Sequence, residues 1–415
     1  MNFQAPKGVS EYLPPRSANF EFVRDQLCLP AKSAGYRLME MPVFEDTALF
    51  TRSVGESTDI VSKEMYTFED RGGRSITLRP EGTAGVMRAV IEHGLDRGQL
   101  PVKVFYSGSY FRAERPQKGR YRQFYQVGVE AIGLEDPLID AEVIWLADQA
   151  FKNIGLRNFH LDITSLGDAQ SRAAHRKDLL KFYATLNLDE ATATRAKLNP
   201  LRLFDDKRPE MIAAMEEAPV LLDYLNSKSK THFHRVLQYL DAIDVKYQIN
   251  SKLVRGFDYY TGTTFEFVHS GLGAQSAIGG GGRYDKLMSD LGGQDLSGIG
   301  WGIGIDRTIL AAEAEAVIPS DLAIADLFII PLGEQNIFQE QAMKIAVQLR
   351  NSGKVVELVY GERSLKGAMK AADKSGAKHV IVLGEEEISS GLVEIKTMST
   401  GQRKSVRISD LIKNL

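Results

Sequence analysis

Twelve of the chain's 37 glycines stand within the 34 residues from Gly271 to Gly304. Glycine at such density belongs where backbone must bend sharply or be approached closely, so this segment constrains the fold first. Gly298, Gly300, Gly302 and Gly304 alternate with Ile299, Trp301, Ile303 and Ile305. At the two-residue period of a strand, one face is then apolar and the other is bare backbone. The apolar face is expected in a core; the bare face forms a shelf. Just upstream, Gly279, Gly280, Gly281 and Gly282 run consecutively, a pattern hard to explain by packing and read as a strand left open for a flat ligand. No Lys-Ser/Thr follows these glycines and G-x-G-x-x-G fits poorly, which excludes a Walker loop. Alternating glycine alone suggests a barrel corner. Arg307, which opens the helical pattern RTILAAEAEAV at the edge of the shelf, tips the reading to nucleotide binding, because a guanidinium and helix-end N–H groups both hold phosphate.

Three more clusters carry chemistry. From Phe111 to Glu130, alternation on both sides of Lys118-Gly119 reads as two antiparallel strands joined by a loop. A solvated charged hairpin is the plain reading, yet Arg112 to Arg122 holds five basic residues against one acid, which suits phosphate. In Thr77 to Thr83, Pro80 suits the first turn of the helix that follows. Glu81 then favours the positive end of that helix or pairs with a substrate ammonium, and the two roles are compatible. In Leu253 to Glu266 the aromatic and β-branched content predicts strands, with one of Tyr259 and Tyr260 in the core and the other on the surface. No GxSxG supports serine chemistry. The seven histidines show no HExxH, and His232 and His234, two apart in a helical region, face different ways; a protein-ligated metal is not expected.

A boundary is expected near 320–326, where small residues, acids and Pro319 precede the apolar strand ADLFIIPLG. Beyond it, 13 basic residues face 10 acidic ones, although the whole chain has a net charge of −3. Any nucleic-acid contact must therefore come from local basic patches. Residues 167–244 have helical spacing between strand-like stretches and read as an inserted helical subdomain. Cys28 is the only cysteine, so no internal disulfide forms, and a reducing, cytoplasmic setting is expected. No stretch reaches the ~18 apolar residues needed to span a membrane.

In this order and spacing the clusters resemble class II aminoacyl-tRNA synthetases, and within them the histidyl-tRNA synthetase family. Arg112 to Glu130 is similar to class motif 2, GIGWGIGIDR to motif 3, and GYRLMEMPVFE to the end of motif 1. LVRGFDYYTGTTFE and GGGGRYD resemble the two signatures peculiar to the histidine enzymes, and NPLRLFDDK and GERSLKGAMKAADKSGAKHVIVLGEEE extend the likeness over essentially the whole chain. The implied fold is α/β: an antiparallel-sheet catalytic domain over 1–325, with its helical insertion, and an α/β anticodon-binding domain over 326–415. Phe257 stands where the family usually has Leu, and Asp306 where it mostly has Glu. Pro30 falls inside the expected motif 1 helix, where it removes a hydrogen bond and biases Leu29 away from helical dihedrals; a break or kink near residue 29 is predicted.

The resemblance implies ATP-dependent activation of L-histidine and transfer of histidine to its tRNA, with Mg2+ accompanying ATP. Arg112 would hold the α-phosphate, Arg307 the γ-phosphate, and Arg255 the opposite side of the α-phosphate. Phe124 and Arg307 would sandwich the adenine, with Arg120 also near the nucleotide. Glu81, Thr83 and Gln126 would take the amino group of histidine, and Glu130 and Tyr260 its ring, with Tyr259 nearby. Gln117, Lys118 and Arg120 would approach the acceptor end of tRNA. Arg363, Lys366, Lys370 and Lys374 form a helix stripe expected opposite Leu365, Met369 and Ala372, suited to tRNA phosphates although a solvated face is the usual explanation. A homodimer built on motif 1 is implied. A regulatory paralogue that shares the fold without charging tRNA is the alternative; such paralogues typically lack the C-terminal domain and lose adenylation residues, both of which this chain keeps.

Overall fold

The computed structural model describes residues 3–55, 58, 60–322, 324–333, 336–361 and 363–415. The chain divides into two compact units, Met1–Ile318 and Pro319–Leu415. In the first, β1 (Arg37–Leu38) is followed by a small antiparallel sheet of β2 (Phe44–Asp46), β3 (Tyr66–Glu69) and β4 (Ser75–Leu78). The main sheet joins β1 to β5 (Val102–Phe111), β6 (Gln123–Ile132), β7 (Phe159–Ser165), β8 (Gln248–Ile249), β9 (Thr261–His269), β10 (Ala277–Tyr284) and β11 (Gly298–Gly304). Its order is β1-β5-β6-β11-β10-β9-β7-β8. Only the β1–β5 and β7–β8 pairs are parallel.

The glycine-rich strands lie at the centre of this sheet. β11 pairs with β6 from Gly298↔Ile132 to Gly304↔Gln126, and with β10 on its other side. Ile299, Trp301 and Ile303 are buried with Val127, Val129, Phe265 and Phe267 in the main core. The buried Trp301 indole N–H donates to the Val143 carbonyl at 2.9 Å, which ties the sheet to the helix Pro137–Ile154. Burial of each such side chain stabilises the fold by roughly 1.5–3 kcal/mol, so the bare face of the shelf rests on a fully packed underside.

Close packing between strands bears on the whole run Gly279–Gly282, although the sequence made packing a hard explanation for it. A Cβ on Gly279 would come 2.6 Å from Ile303 Cγ1, and one on Gly281 would meet the backbone of Gly300 and Trp301. Gly280 and Gly282 look the other way, where a Cβ would come 2.7 Å from the Phe265 carbonyl and 2.9 Å from the Arg255 guanidinium, and 2.8 Å from the Thr263 carbonyl and 3.0 Å from the Tyr260 ring, respectively.

The helix Ser17–Ser33 runs through Pro30 without the predicted break. Pro30 sits in the last turn, so only one intrahelical bond is lost, and its own carbonyl still accepts from Ala34 N–H at 3.0 Å. Between β7 and β8 lie helices including Ala169–Tyr183, Glu190–Leu198 and Ser227–Ala242. The first two pack in a satellite cluster with Leu203 and Met211; the last sends Phe233, Val236 and Leu240 into the main core.

The second unit holds β12 (Leu327–Pro331), β13 (Val356–Leu358), β14 (His379–Leu383), β15 (Leu392–Thr397) and β16 (Arg403–Arg407), ordered β13-β12-β14-β15-β16. β12 is parallel to both neighbours, and the helices Asn336–Asn351 and Leu365–Ser375 connect the parallel strands, as such connections require.

Candidate active site

A cavity of about 250 Å³ lies over the shelf, and Gly280, Gly300, Gly302 and Gly304 line it. The same cavity is lined by Glu81, Thr83, Arg112, Arg120, Phe124, Gln126, Arg255, Tyr259, Tyr260 and Arg307. Sequence positions more than 200 residues apart are thus brought to one site by the central strands.

Each guanidinium is aimed by backbone or by a carboxylate. Arg112, just past the end of β5, donates through Nε to the Pro80 carbonyl at 3.0 Å and lies over the Phe124 ring, 5.2 Å from its centroid. Arg307 donates to Gly119 O at 2.8 Å and to Ala277 O at 2.9 Å. Arg255 pairs with Glu266 Oε1 at 3.0 Å. Burial lowers the pKa of Arg112, and burial with Arg120 and Arg112 close by lowers that of Arg307. For Arg255, burial works the same way but is outweighed by Glu266 together with Tyr260 and Tyr259, and its pKa rises. Four arginines, with Glu81, Glu114 and Asp306, line the one cavity, an arrangement that can hold an anion.

Two carboxylates occupy the other chemistry of the cavity. Glu81 is buried and accepts from the N–H groups of Thr83 at 2.7 Å and Ala84 at 2.9 Å, at the start of the helix Thr83–Glu92. Its role at the helix end is therefore real, and burial raises its pKa against those bonds. Pro80 lies outside that helix, which starts three residues later with Gly82 as its cap; the fit to a first turn was wrong because Glu81 and Gly82 cap it instead. Glu130, the register partner of Gly300, lies on the bare face of the shelf behind the residues that line the cavity, accepting from Thr83 Oγ1 at 2.8 Å, Tyr106 OH at 3.1 Å and Tyr284 OH at 2.6 Å. Burial pushes its carboxyl up to about 7 in spite of these donors.

Tyr259 and Tyr260 precede β9 rather than lying in a strand, and both line the cavity, so neither faces solvent as alternation would require. Their rings are 4.7 Å apart, and Phe257 stacks on Tyr259 at 5.2 Å with an interplanar angle of 8°. The loop between β5 and β6 turns at Lys118-Gly119, closed by the Gln117↔Arg120 bridge, with Gln117 and Lys118 exposed. Arg120 is held there by the buried Glu114 and lies 3.8 Å from Glu64.

Sequence reasoning missed Tyr106, Tyr284 and Glu114, all of which line the cavity. Tyr106 had a legible signal only after pairing, since its register partner is Gly128, where a Cβ would strike the ring. Arg283, quoted with the glycine run, turns away from the site and pairs with Asp140, which also accepts from His232 at 2.8 Å.

In the second unit, Lys366, Lys370 and Lys374 are exposed on the helix Leu365–Ser375. Two parts of the expected stripe are corrected. Arg363 precedes the N-cap Ser364 and lies outside the helix, and Leu365 is exposed rather than buried; Ala368 and Ala372 fill the core instead. The helix begins late because the Ser364 hydroxyl accepts from Gly367 N–H.

Residues 8–308 match the family model described as histidyl-tRNA synthetase, and residues 326–415 match the anticodon binding domain. The chain is 58% identical to a histidine–tRNA ligase of Nocardia farcinica, over 99% of this chain and 97% of that protein. It is 59% identical to one from Mycolicibacterium vanbaalenii, with the same coverage of both. The crystal structure of apo S. aureus histidyl-tRNA synthetase superposes with a TM-score of 0.82 at 35% identity, covering 100% of this chain and 99% of that one.

Proposed function

Because the chain belongs to the histidyl-tRNA synthetase family, we propose that the cavity over the glycine shelf binds histidine and ATP together and joins them. The chain charges tRNA with histidine. In the first step a carboxylate oxygen of histidine attacks the α-phosphorus of ATP, and the bond to pyrophosphate breaks. In the second, the terminal ribose hydroxyl of tRNA attacks the activated carbonyl, and AMP leaves.

One observation carries the assignment of roles: three guanidiniums and the buried Glu81 line a single cavity whose floor is glycine backbone. Arg112 and Arg255 take opposite sides of the α-phosphate and Arg307 the γ-phosphate, so preplaced charge meets the charge that develops as the phosphorus is attacked. Phe124 and Arg307 flank the adenine, and Arg120 closes over the nucleotide. Mg2+ would accompany ATP, bound through its phosphates and few protein carboxylates, and would add positive charge beside the arginines. Glu81, Thr83 and Gln126 hold the ammonium group. Glu130 and Tyr260, with Tyr259, read the ring; a site that hydrogen-bonds both ring nitrogens rejects aliphatic amino acids by ~10^4 or more, because its polar groups would be left unpaired.

The catalytic domain is taken as 1–325, with its insertion at 167–244, and the anticodon-binding domain as 326–415. Gln117, Lys118 and Arg120 meet the acceptor end, and Arg363, Lys366, Lys370 and Lys374 meet phosphates near the anticodon. No helix among the described residues is long and apolar enough to cross a membrane, and the reaction belongs in the cytoplasm. The chain is expected to work as a homodimer; sedimentation at 46.0 kDa rather than twice that mass would contradict it. The non-charging reading is disfavoured because Arg112, Arg255 and Arg307 are all kept. Histidine-dependent exchange between ATP and pyrophosphate tests the whole assignment, and its absence would overturn it.

A further inference from the structure

The segment before the first helix braces the nucleotide side of the cavity. Val9 pairs in parallel with Gln123 at the start of β6, and Arg122 N–H donates to Gly8 O at 2.7 Å. Gly8 has φ +89°, and a Cβ there would come 2.7 Å from Pro116, so the segment lies directly against the loop that carries Arg120. Four residues further on, Tyr12 OH donates to Asp306 Oδ1 at 2.6 Å. The other oxygen of Asp306 accepts from Tyr125 N–H at 2.8 Å.

The position of Asp306 explains what this hydrogen bond can do. The β6–β11 ladder ends at Gly304↔Gln126, because the chain then turns into the helix Ile305–Ala314. The carboxylate of Asp306 takes over the next N–H of β6, that of Tyr125, where backbone no longer pairs. It is therefore the clamp between two neighbours that face the nucleotide: Arg307 follows Asp306, and Phe124 precedes Tyr125. A carboxylate with one hydrogen bond can rotate; one held at both oxygens is fixed. Tyr12 supplies the second hold, and its ring is packed against Phe20 at 4.8 Å and Tyr125 at 6.1 Å.

We propose that Tyr12 is a positioning residue for nucleotide use, acting through Asp306 to fix Arg307 and Phe124 relative to one another. The inference rests on the adenylation reading. Glu81, Thr83, Tyr259 and Tyr260 stand on other segments, and Gln126 and Glu130, though on β6, are held by ladder pairing on both sides, so the effect falls mainly on ATP and much less on histidine.

Tyr12→Phe keeps the ring and its packing and removes only the hydroxyl. In pyrophosphate exchange, KM for ATP should rise roughly three- to tenfold, the worth of one hydrogen bond, while KM for histidine stays within about twofold. Adding Tyr12→Phe to Asp306→Asn should have little further effect on KM for ATP, since both weaken the same hydrogen bond. An unchanged KM for ATP, or equal shifts for both substrates, would overturn the proposal, and a fall in thermal midpoint alone would make Tyr12 merely structural. If Tyr12→Phe does not fold, Asp306→Asn takes its place: a rise confined to KM for ATP supports the clamp, and no rise or an equal rise for histidine overturns it. Calorimetric binding of ATP to the full chain gives the same comparison without turnover, so a lack of exchange in the unaltered protein would sink the adenylation reading while leaving Tyr12 testable.

Discussion

The two large sheets of this molecule solve the burial problem in opposite ways. In the first unit Glu81, Glu130, Asp140, Arg283 and Asp306 are all buried, whereas among the described residues of the second unit no polar or charged residue is. The second sheet is sealed by aliphatic groups such as Leu327, Ile329, Ile381 and Val393, and its charges stay in water. Burying ionisable groups costs stability unless each is hydrogen-bonded, and in the first unit each named group has partners. Chemistry is concentrated accordingly: the first sheet gives up stability to fix charge in place, and the second only displays charge on a packed scaffold. Substitutions in the first unit should therefore alter reactions, and those in the second should alter stability or salt-dependent binding.

The largest effect should come from the guanidiniums. Arg255→Ala or Arg307→Ala is expected to slow pyrophosphate exchange at least ~10^2-fold, and near-normal exchange in either variant would remove that residue from the mechanism. Paired glycine substitutions test the contrast directly. A Cβ on Gly300 would collide with Glu130 and the Val129 carbonyl, while Gly376, at φ +74°, has open space around it. Gly300→Ala should weaken histidine use by about tenfold or more, since the carboxylate must move. Gly376→Ala should cost only about 1 kcal/mol in stability, from its left-handed backbone, and leave exchange intact. Equal losses of exchange in the two would erase the distinction between the sheets.

What could be read from the sequence is what is local. The alternation of Gly298 to Ile305 specifies a two-faced strand by itself, and the charge-rich turn at Lys118-Gly119 specifies a hairpin; both follow from a period of two and a turn. The partners that fix the site are not local. Tyr284 reaches Glu130 across 154 positions, and Tyr12 reaches Asp306 across 294, so no spacing rule exposes either. Pro30 and Tyr259-Tyr260 misled for a related reason: propensity marks a tendency, and the end of a helix or a packed aromatic loop overrides it.

A smaller effect separates binding of the ring from binding of the nucleotide. Glu130→Gln should weaken histidine use roughly tenfold and ATP use much less, because it removes a charged acceptor. Its carboxyl, raised by burial to about 7 from 4.5, binds its proton more tightly in the folded chain. Its contribution to stability is then whole below the ordinary carboxylate range and is lost as pH rises through about 7. An imidazole N–H favours the ionised form, so histidine binding should release a proton from Glu130 near pH 7 and less at pH 8.5. Calorimetry in two buffers of different ionisation enthalpy measures this. The proton lost by the ligand's own ring is common to both proteins, so equal release in wild type and Glu130→Gln would rule Glu130 out as the group that titrates.

The smallest effect belongs to the second unit, where charge stands on the surface instead of in the core. Lys366, Lys370 and Lys374 are four residues apart on the helix Leu365–Ser375 and exposed; each four-residue step turns about 40° beyond a full revolution, so the three form a slowly winding row. Their replacement by alanine favours helix and disturbs no core packing, which leaves stability almost unchanged and isolates the charge. Exchange should be unaltered. Transfer to tRNA should weaken severalfold at low salt, and the slope of log affinity against log salt should flatten by roughly 0.7 to 1 for each phosphate that is no longer neutralised. Arg363→Ala, beyond the helix cap, should add at most one such step. An unchanged slope would make the row a solvated face, while a loss of exchange equal to the loss of charging would show that the second unit serves the catalytic fold and is not only a surface for tRNA.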